Sequence, residues 1–289
     1  MGIQYRIKGY INKRKNYSED MSATKMLYEH RDEMILGTPE QKTIPNKVNL
    51  HYWTNGVFEN LGDYLCTVIV KHFAPKTEWG TDGIKHLYAV GSILGFGCQD
   101  AVVWGSGILY PYKPYLERIK LAALDIRCVR GPLTRQQLLK AKKKCPEIYG
   151  DPVLLMPMIY ETDIVEKKYE VSYIPHFNDD QPERIHNISM KTTDYKHVID
   201  EIVKSRKIIS SSLHGVMLAE SYKVSAVLYL RKGSNEFKYR DYYYSTGRRE
   251  FPIAHSVEEA LDVEPCRLPE LSELQENLLK TFPYDLWEE

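Results

Sequence analysis

Near residue 210 an apolar run, KIISSS, carries Ser210, Ser211 and Ser212 to the start of a helical pattern, LHGVMLAESYK, that opens with His214 and Gly215. A helix start offers free backbone N–H groups and the positive end of its dipole, so it favours an anion, and hydroxyls add donors. An imidazole at that place can bind a phosphate as a cation or move a proton near neutral pH. A serine N-cap beside a packed histidine is the plainer reading of the same residues. The second candidate is Asn60-Leu61-Gly62-Asp63: Gly62 allows a tight turn, while Asn60 and Asp63 either cap the next helix or hold a substrate hydroxyl. Arg127, Arg130 and Gly131 end a strand, where an arginine fork grips a carboxylate or phosphate, or else makes a surface ion pair. His176 closes the strand YEVSYIPHF, Gly150-Asp151-Pro152 reads as a turn, and Lys140–Lys144 as a solvated helix face or end.

These residues need a scaffold that brings distant loops together, and the pattern supplies one. From Val48 onward, apolar strands (VNLHYW, KHLYAVGSIL, AVVWGSGIL, LDIRCV) run into small-residue loops and then, in places, into helices such as DYLCTVIVKHF and LTRQQLLKAKKK. Pro132 fits the first turn of the latter. A second series begins near Tyr169, with YEVSYIPHF, HNISMK and KIISSS as strands, YKHVIDEIVKS and LHGVMLAESYK as helices, and VSAVLYL as a further strand. Alternation of this kind predicts an α/β fold with parallel sheets, ligands meeting the carboxyl ends of the strands. The expected divisions are an irregular arm at 1–46, a first Rossmann-like domain at 47–165 and a second at 166–262. The remainder, 263–289, is expected to form a helix carrying Leu271, Leu274 and Leu278 on one face, then an aromatic tail docked on the first domain.

Composition narrows the classes. The chain has 289 residues, 43% of them hydrophobic, which excludes a disordered chain, and no run reaches the roughly 20 apolar residues a membrane span needs. No secretory h-region is present at the N-terminus, so a cytoplasmic, soluble protein is expected. Cys66, Cys98, Cys128, Cys145 and Cys266 include no CxxC pair, and are expected to be reduced structural thiols. Neither a metal site nor a dinucleotide fingerprint or P-loop is indicated: Gly105-Ser106-Gly107 is followed by neither GxxG nor GK[ST]. The formal charge is zero, but residues 250–289 carry two basic and eleven acidic side chains, which leaves the body of the chain positive. That suits an anionic ligand, whereas the excess is too spread out for a nucleic-acid footprint.

Eight fragments, in order, resemble the polysaccharide pyruvyl transferase family. They are Asn60-Leu61-Gly62-Asp63, YAVGSIL at Tyr88–Leu94, VVWGSGI at Val102–Ile108, VRGPLT at Val129–Thr134, YGDPVLL at Tyr149–Leu155, IPHFND at Ile174–Asp179, SSLHGVMLAE at Ser211–Glu220, and KYRDYYYSTG at Lys238–Gly247. The resemblance implies two Rossmann-like domains facing a cleft, a GT-B-type architecture. It also implies transfer of the pyruvyl group of phosphoenolpyruvate to two hydroxyls of a sugar, giving a cyclic ketal and phosphate in surface-polysaccharide synthesis, with no cofactor.

Carried over residue by residue, the family's SxxHG segment falls on Ser211 to Gly215. This chain has Ser212 where the family often has arginine, so another cation, Arg130, Lys238, Arg231 or Arg240, has to meet the donor. The expected donor side is therefore Ser211, Ser212, Gly215, Arg130 and Lys238, with His214 as phosphate ligand and general acid. Asn60 and Asp63 are expected to face the sugar, Asp63 as base, and His176 is a third catalytic candidate. The expected acceptor is a sugar, with a lipid-linked oligosaccharide left open, and the basic arm either touches a membrane face or is ordinary surface. Two other readings stay open on sequence: a nucleotide-sugar glycosyltransferase of the same architecture, and a non-catalytic carbohydrate-binding relative.

Overall fold

The computed structural model describes residues 48–53, 59–75, 85–96, 100–176, 179 and 181–287. The arm expected at 1–46 lies outside the described residues, as do Cys98, Phe177 and Asn178. The first half contains β1 (Val48–His51), α1 (Leu61–Phe73), β2 (Lys85–Tyr88), β3 (Ala101–Trp104), α2 (Lys113–Leu121), β4 (Leu124–Cys128) and α3 (Pro132–Lys140). Its sheet runs β1-β2-β3-β4, every pairing parallel. β1 and β3 are buried along their whole length, which is why VNLH and AVVW read as continuous rather than alternating apolar text.

A 3-10 turn at Pro152–Leu155 and the short α4 (Met156–Ile159) lead to the second half. There follow β5 (Tyr169–Ile174), β6 (His186–Asn187), α5 (Tyr195–Val203), β7 (Ser205–Ser210), α6 (Leu213–Ser221) and β8 (Ser225–Tyr229). Next come α7 (Phe237–Ser245), β9 (Ile253–Ala254), α8 (Val257–Asp262) and α9 (Ser272–Lys280). The second sheet runs β6-β5-β7-β8-β9 and is again parallel throughout. The α/β class with parallel sheets is therefore as the sequence predicts.

Two features differ in detail. α3 stops at Lys140, not Lys144, because Lys142 adopts a left-handed φ of 61° and the chain closes on itself, Lys143 N–H donating to Leu138 O at 3.0 Å. α2, α7, β9 and α8 carry no clear sequence period and are additions to the expected set.

The halves are packed together, not merely tethered. Leu61 and Leu65 of α1, Val153 of the 3-10 turn, and Val216 and Met217 of α6 belong to one apolar cluster. Leu61 N–H also donates to Met190 O at 2.8 Å. The segment from α9 onward returns to the first half. Trp104 Nε1 on β3 donates to Leu278 O at 2.9 Å, and Phe282 meets the Trp104 ring edge-on at 4.8 Å. Gln275 Nε2 donates to Leu154 O at 2.8 Å, and Lys85 Nζ to Leu286 O at 3.0 Å. Leu278 and Phe282 are buried, and side chains of this size contribute about 1.5–3 kcal/mol each when fully removed from water.

Candidate functional site

Asn60 stands at the N-cap of α1 with extended backbone, yet its side chain makes no capping bond. Backbone closes the turn instead: the N–H groups of Asp63 and Tyr64 donate to Asn60 O at 3.0 and 2.9 Å. The Asn60 amide is thereby freed to donate to Asp63 Oδ2. Capping does not account for Asn60; holding Asp63 does. Asp63 as a residue is only 8% exposed, and burial raises its carboxyl to about 7 against the opposing pull of Asn60 and Lys238. From above, Gly91 brings its loop close: with φ at +103°, a Cβ there would sit 2.9 Å from Asp63 Oδ1.

Across from Asp63 is the start of α6. Gly62 makes the approach possible, since a side chain there would collide with the His214 ring. Ser210, which ends β7, and the two serines that follow it build the backbone that aims this ring. Ser210 Oγ accepts the Ser212 N–H at 3.0 Å and lies 3.0 Å from Ile174 O. Ser211 Oγ accepts the His176 N–H at 2.7 Å, which fixes the end of β5. Ser212 Oγ accepts the Gly215 N–H at 3.3 Å as the N-cap. A Cβ at Gly215 would strike Ser210 and Ile174, so this glycine serves helix-to-strand packing. The hydroxyls expected to meet a ligand thus have structural partners in the ligand-free chain.

Both histidines are held neutral. Burial, then Lys238, then Arg130 depress His214 to about 3; burial, Lys238 and His214 push His176 well below its usual range. A standing imidazolium at the helix start is therefore excluded without an anion to support it, and the permanent charge must come from elsewhere.

The candidate cations separate cleanly. Arg127 makes a two-pronged pair with Asp285 at 3.0 and 2.9 Å and another with Asp125, which is the plain surface reading of that residue. Arg240 pairs with Glu236 on its own helix, and Arg231 lies 3.3 Å from Asp179. Arg130 is wholly buried: Nε donates to Asp241 Oδ2 at 3.0 Å, Nη2 to Ile108 O at 2.7 Å, and Nη1 to Ser92 Oγ. Gly107 leaves room for that guanidinium, as a side chain there would overlap it. Lys238, half-buried on α7, is the cation that faces the histidines and Asp63. Burial and Arg130 lower its pKa to about 8, while Asp63 and Asp179 oppose them.

Two participants escape a sequence reading. Asp151 caps the 3-10 turn through Oδ1, which accepts the Val153 N–H at 3.1 Å, but its buried Oδ2 has no hydrogen-bond partner among the described residues. Burial raises this acid to about 7, the Val153 N–H and Arg130 pull it down, and Asp63 and Asp241 push it up. Asp241 is the other, and pairs with Arg130 from 111 residues away. Asp151 lies inside YGDPVLL and Asp241 inside KYRDYYYSTG, two of the fragments that carry the family resemblance, and that is the one available signal.

The arrangement sets a carboxylate with a midpoint near neutrality, and the amide that steadies it, against two imidazoles and an ammonium. It suits a reaction between an anion and a hydroxyl, in which a proton is taken on one side and given on the other. Among the described residues no group of three or more His, Cys, Asp or Glu side chains is placed to hold a metal ion, and no helix is long and apolar enough to cross a membrane.

Comparison with known proteins places the chain among relatives. The chain is 27% identical over 173 residues to an uncharacterised protein of Acanthamoeba polyphaga mimivirus, covering 54% of this chain and 58% of that protein. It is 30% identical over 175 residues to the succinoglycan biosynthesis protein ExoV of Rhizobium meliloti (strain 1021), covering 56% and 54% respectively. The aligned stretch therefore spans little more than half of either relative. A family model described as polysaccharide pyruvyl transferase matches residues 60–233, a stretch that holds Asn60, Asp63, Arg130, Asp151, His176 and His214, and on that match the chain is a member of the polysaccharide pyruvyl transferase family.

Proposed function

We propose that the chain transfers the pyruvyl group of phosphoenolpyruvate to two hydroxyls of a sugar acceptor, forming a cyclic ketal and releasing phosphate, in the synthesis of a surface polysaccharide. The observation that carries this reading is the convergence of His176, His214 and Lys238 from the second half on Asp63 and Asn60 from the first. Family membership and the printed role of the succinoglycan biosynthesis relative support the class of reaction.

One sugar hydroxyl attacks the carbon that bears the phosphate while the adjacent methylene takes up a proton and becomes a methyl. The phosphate leaves with the C–O bonding pair, and the second hydroxyl attacks the same carbon to close the ring. Two hydroxyl protons are released, one equivalent to the methyl and one to phosphate. Asp63, with a midpoint near 7, matches the role of base toward the sugar hydroxyls, with Asn60 fixing its orientation. Lys238 meets the donor's charge. His214 is neutral until the donor arrives; an anion beside it raises its basicity, and it then serves as phosphate ligand and general acid. His176, held by Ser211, lines the same side.

Incubation with phosphoenolpyruvate and a panel of galactosides and N-acetylhexosamines tests this, read by phosphate release and the product's mass gain. His214→Gln is expected to lower turnover at least 100-fold. Protection against heat by UDP but not by phosphoenolpyruvate would replace the reading with nucleotide-sugar transfer.

A further inference from the structure

α3 starts at Gly131, a residue with no side chain to cap it, and Asp241 of α7 does so from the other half of the molecule. Oδ1 accepts the N–H groups of Leu133 and Thr134 at 2.8 and 2.9 Å; Oδ2 accepts Thr134 Oγ1 at 2.6 Å and Arg130 Nε at 3.0 Å. Both members of the ion pair are completely buried. A side chain at Gly131 would run into the Asp241 backbone, so the two helices meet at closest approach here. Lys238 lies one turn earlier on α7, three residues from Asp241.

We propose that Asp241 is a positioning residue that sets the charge of the donor site from behind: by offsetting part of the Arg130 charge it limits the repulsion on Lys238 and leaves it as the cation that meets the donor. This rests on the proposed function only for the identity of the donor. The groups that bear on Lys238 are Arg130 from the first half, repelling it; Asp63 of α1 and Asp179 after β5, supporting it; and the two histidines, which it holds neutral in turn. Asp241 faces Arg130, Thr134 and the charge of Asp151. Without its carboxylate, the guanidinium stands uncompensated in the same low-dielectric space as Lys238.

The test needs no substrate. Trace acetylation of the full chain across pH, read on the Lys238 peptide by mass spectrometry, gives the midpoint of that amine. Asp241→Asn is expected to lower it by about one pH unit. The double variant Arg130→Met with Asp241→Asn is expected to raise it above the parent's, because the repelling charge is gone. Thr134→Val, which removes a hydrogen bond to Asp241 but no charge, is expected to leave it in place, whereas a merely structural role would move it as well. If Asp241→Asn does not fold, Arg130→Met is set against the double variant: the midpoint is expected higher in the single variant, where the Asp241 carboxylate remains, and equal midpoints overturn the proposal. An unchanged midpoint in a folded Asp241→Asn overturns it likewise. Binding of phosphoenolpyruvate is then expected to weaken about tenfold at pH 8.5 in Asp241→Asn, with near parity at pH 6. Lys238 shifts without any binding of phosphoenolpyruvate would leave this inference standing and defeat the proposed donor.

Discussion

Two arginine–carboxylate pairs are buried around α7, and the same two ions serve different ends in each. Arg130 and Asp241 join the halves of the molecule and are sealed from water. Arg248 and Glu220 join the end of α7 to α6 within the second half, through bonds of 2.6 and 2.8 Å. The second pair is packed more generously: Tyr242 OH donates to Glu220 at 2.6 Å, and the Arg248 guanidinium lies over the Tyr243 ring at 4.2 Å. Its electrostatic neighbours are Tyr242, Tyr243 and Cys266, none of which belongs to the site. Arg130 of the first pair, by contrast, acts on His214 and Lys238. Burial and good geometry alone therefore do not mark an ion pair as functional; what matters is which titrating groups share its low-dielectric space.

This contrast can be broken in several ways. The largest expected effect comes from Arg130→Met, which leaves Asp241 charged, buried and unpaired, and should cost about 3–5 kcal/mol in urea unfolding. Lys238 should also titrate higher in that variant. Glu220→Gln keeps its shape beside Arg248, which retains 12% exposure and so can still reach water. A loss of about 2 kcal/mol is expected, with the pH dependence of donor binding unchanged. A shift of that profile in Glu220→Gln would erase the distinction between the pairs.

Asp151 sharpens the comparison, being a buried acid with no ion partner of its own among the described residues. Its folded-state midpoint is raised from 3.8 to about 7, so the folded chain resists ionisation where the unfolded chain does not. The destabilisation is absent below about pH 4, grows between 4 and 7, and is constant above. Asp151→Asn is accordingly expected to stabilise by about 1–2 kcal/mol at pH 8 and by nothing at pH 4, measured by thermal unfolding at both. The smallest effect belongs to the exposed pair: Arg127→Ala, opposite Asp285, should cost about 0.5 kcal/mol in low salt and less in high salt.

The parallel sheets were legible because buried strands leave continuous apolar runs, and Asn60, Asp63 and His214 stood out because each interrupts such text at an element boundary. Other parts were hidden for definite reasons. α7 reads FKYRDYYYS, where tyrosines face core and surface alike and no 3.6-residue period survives. Serines at a strand end look the same whether they bind a ligand or the backbone, and only the bonds of Ser211 and Ser212 tell which partner they have. Arg130 advertised an anion, but its partner was another part of the same chain, 111 residues on. Pairings at that separation leave no local trace.

The return of residues 271–287 to the first sheet has a consequence for birth on the ribosome. β3 emerges with Trp104 long before Leu278 and Phe282, the residues that cover it. Until residues 278–282 have been translated, the first sheet therefore keeps an uncovered aromatic face at Trp104, and until Asp241 has been, α3 lacks the carboxylate that caps it. Chains halted part-way lack the His214 and Lys238 side of the site, and exposed apolar surface leaves them open to chaperones and proteases. Vectorial synthesis thus couples the finished candidate site to the presence of both halves.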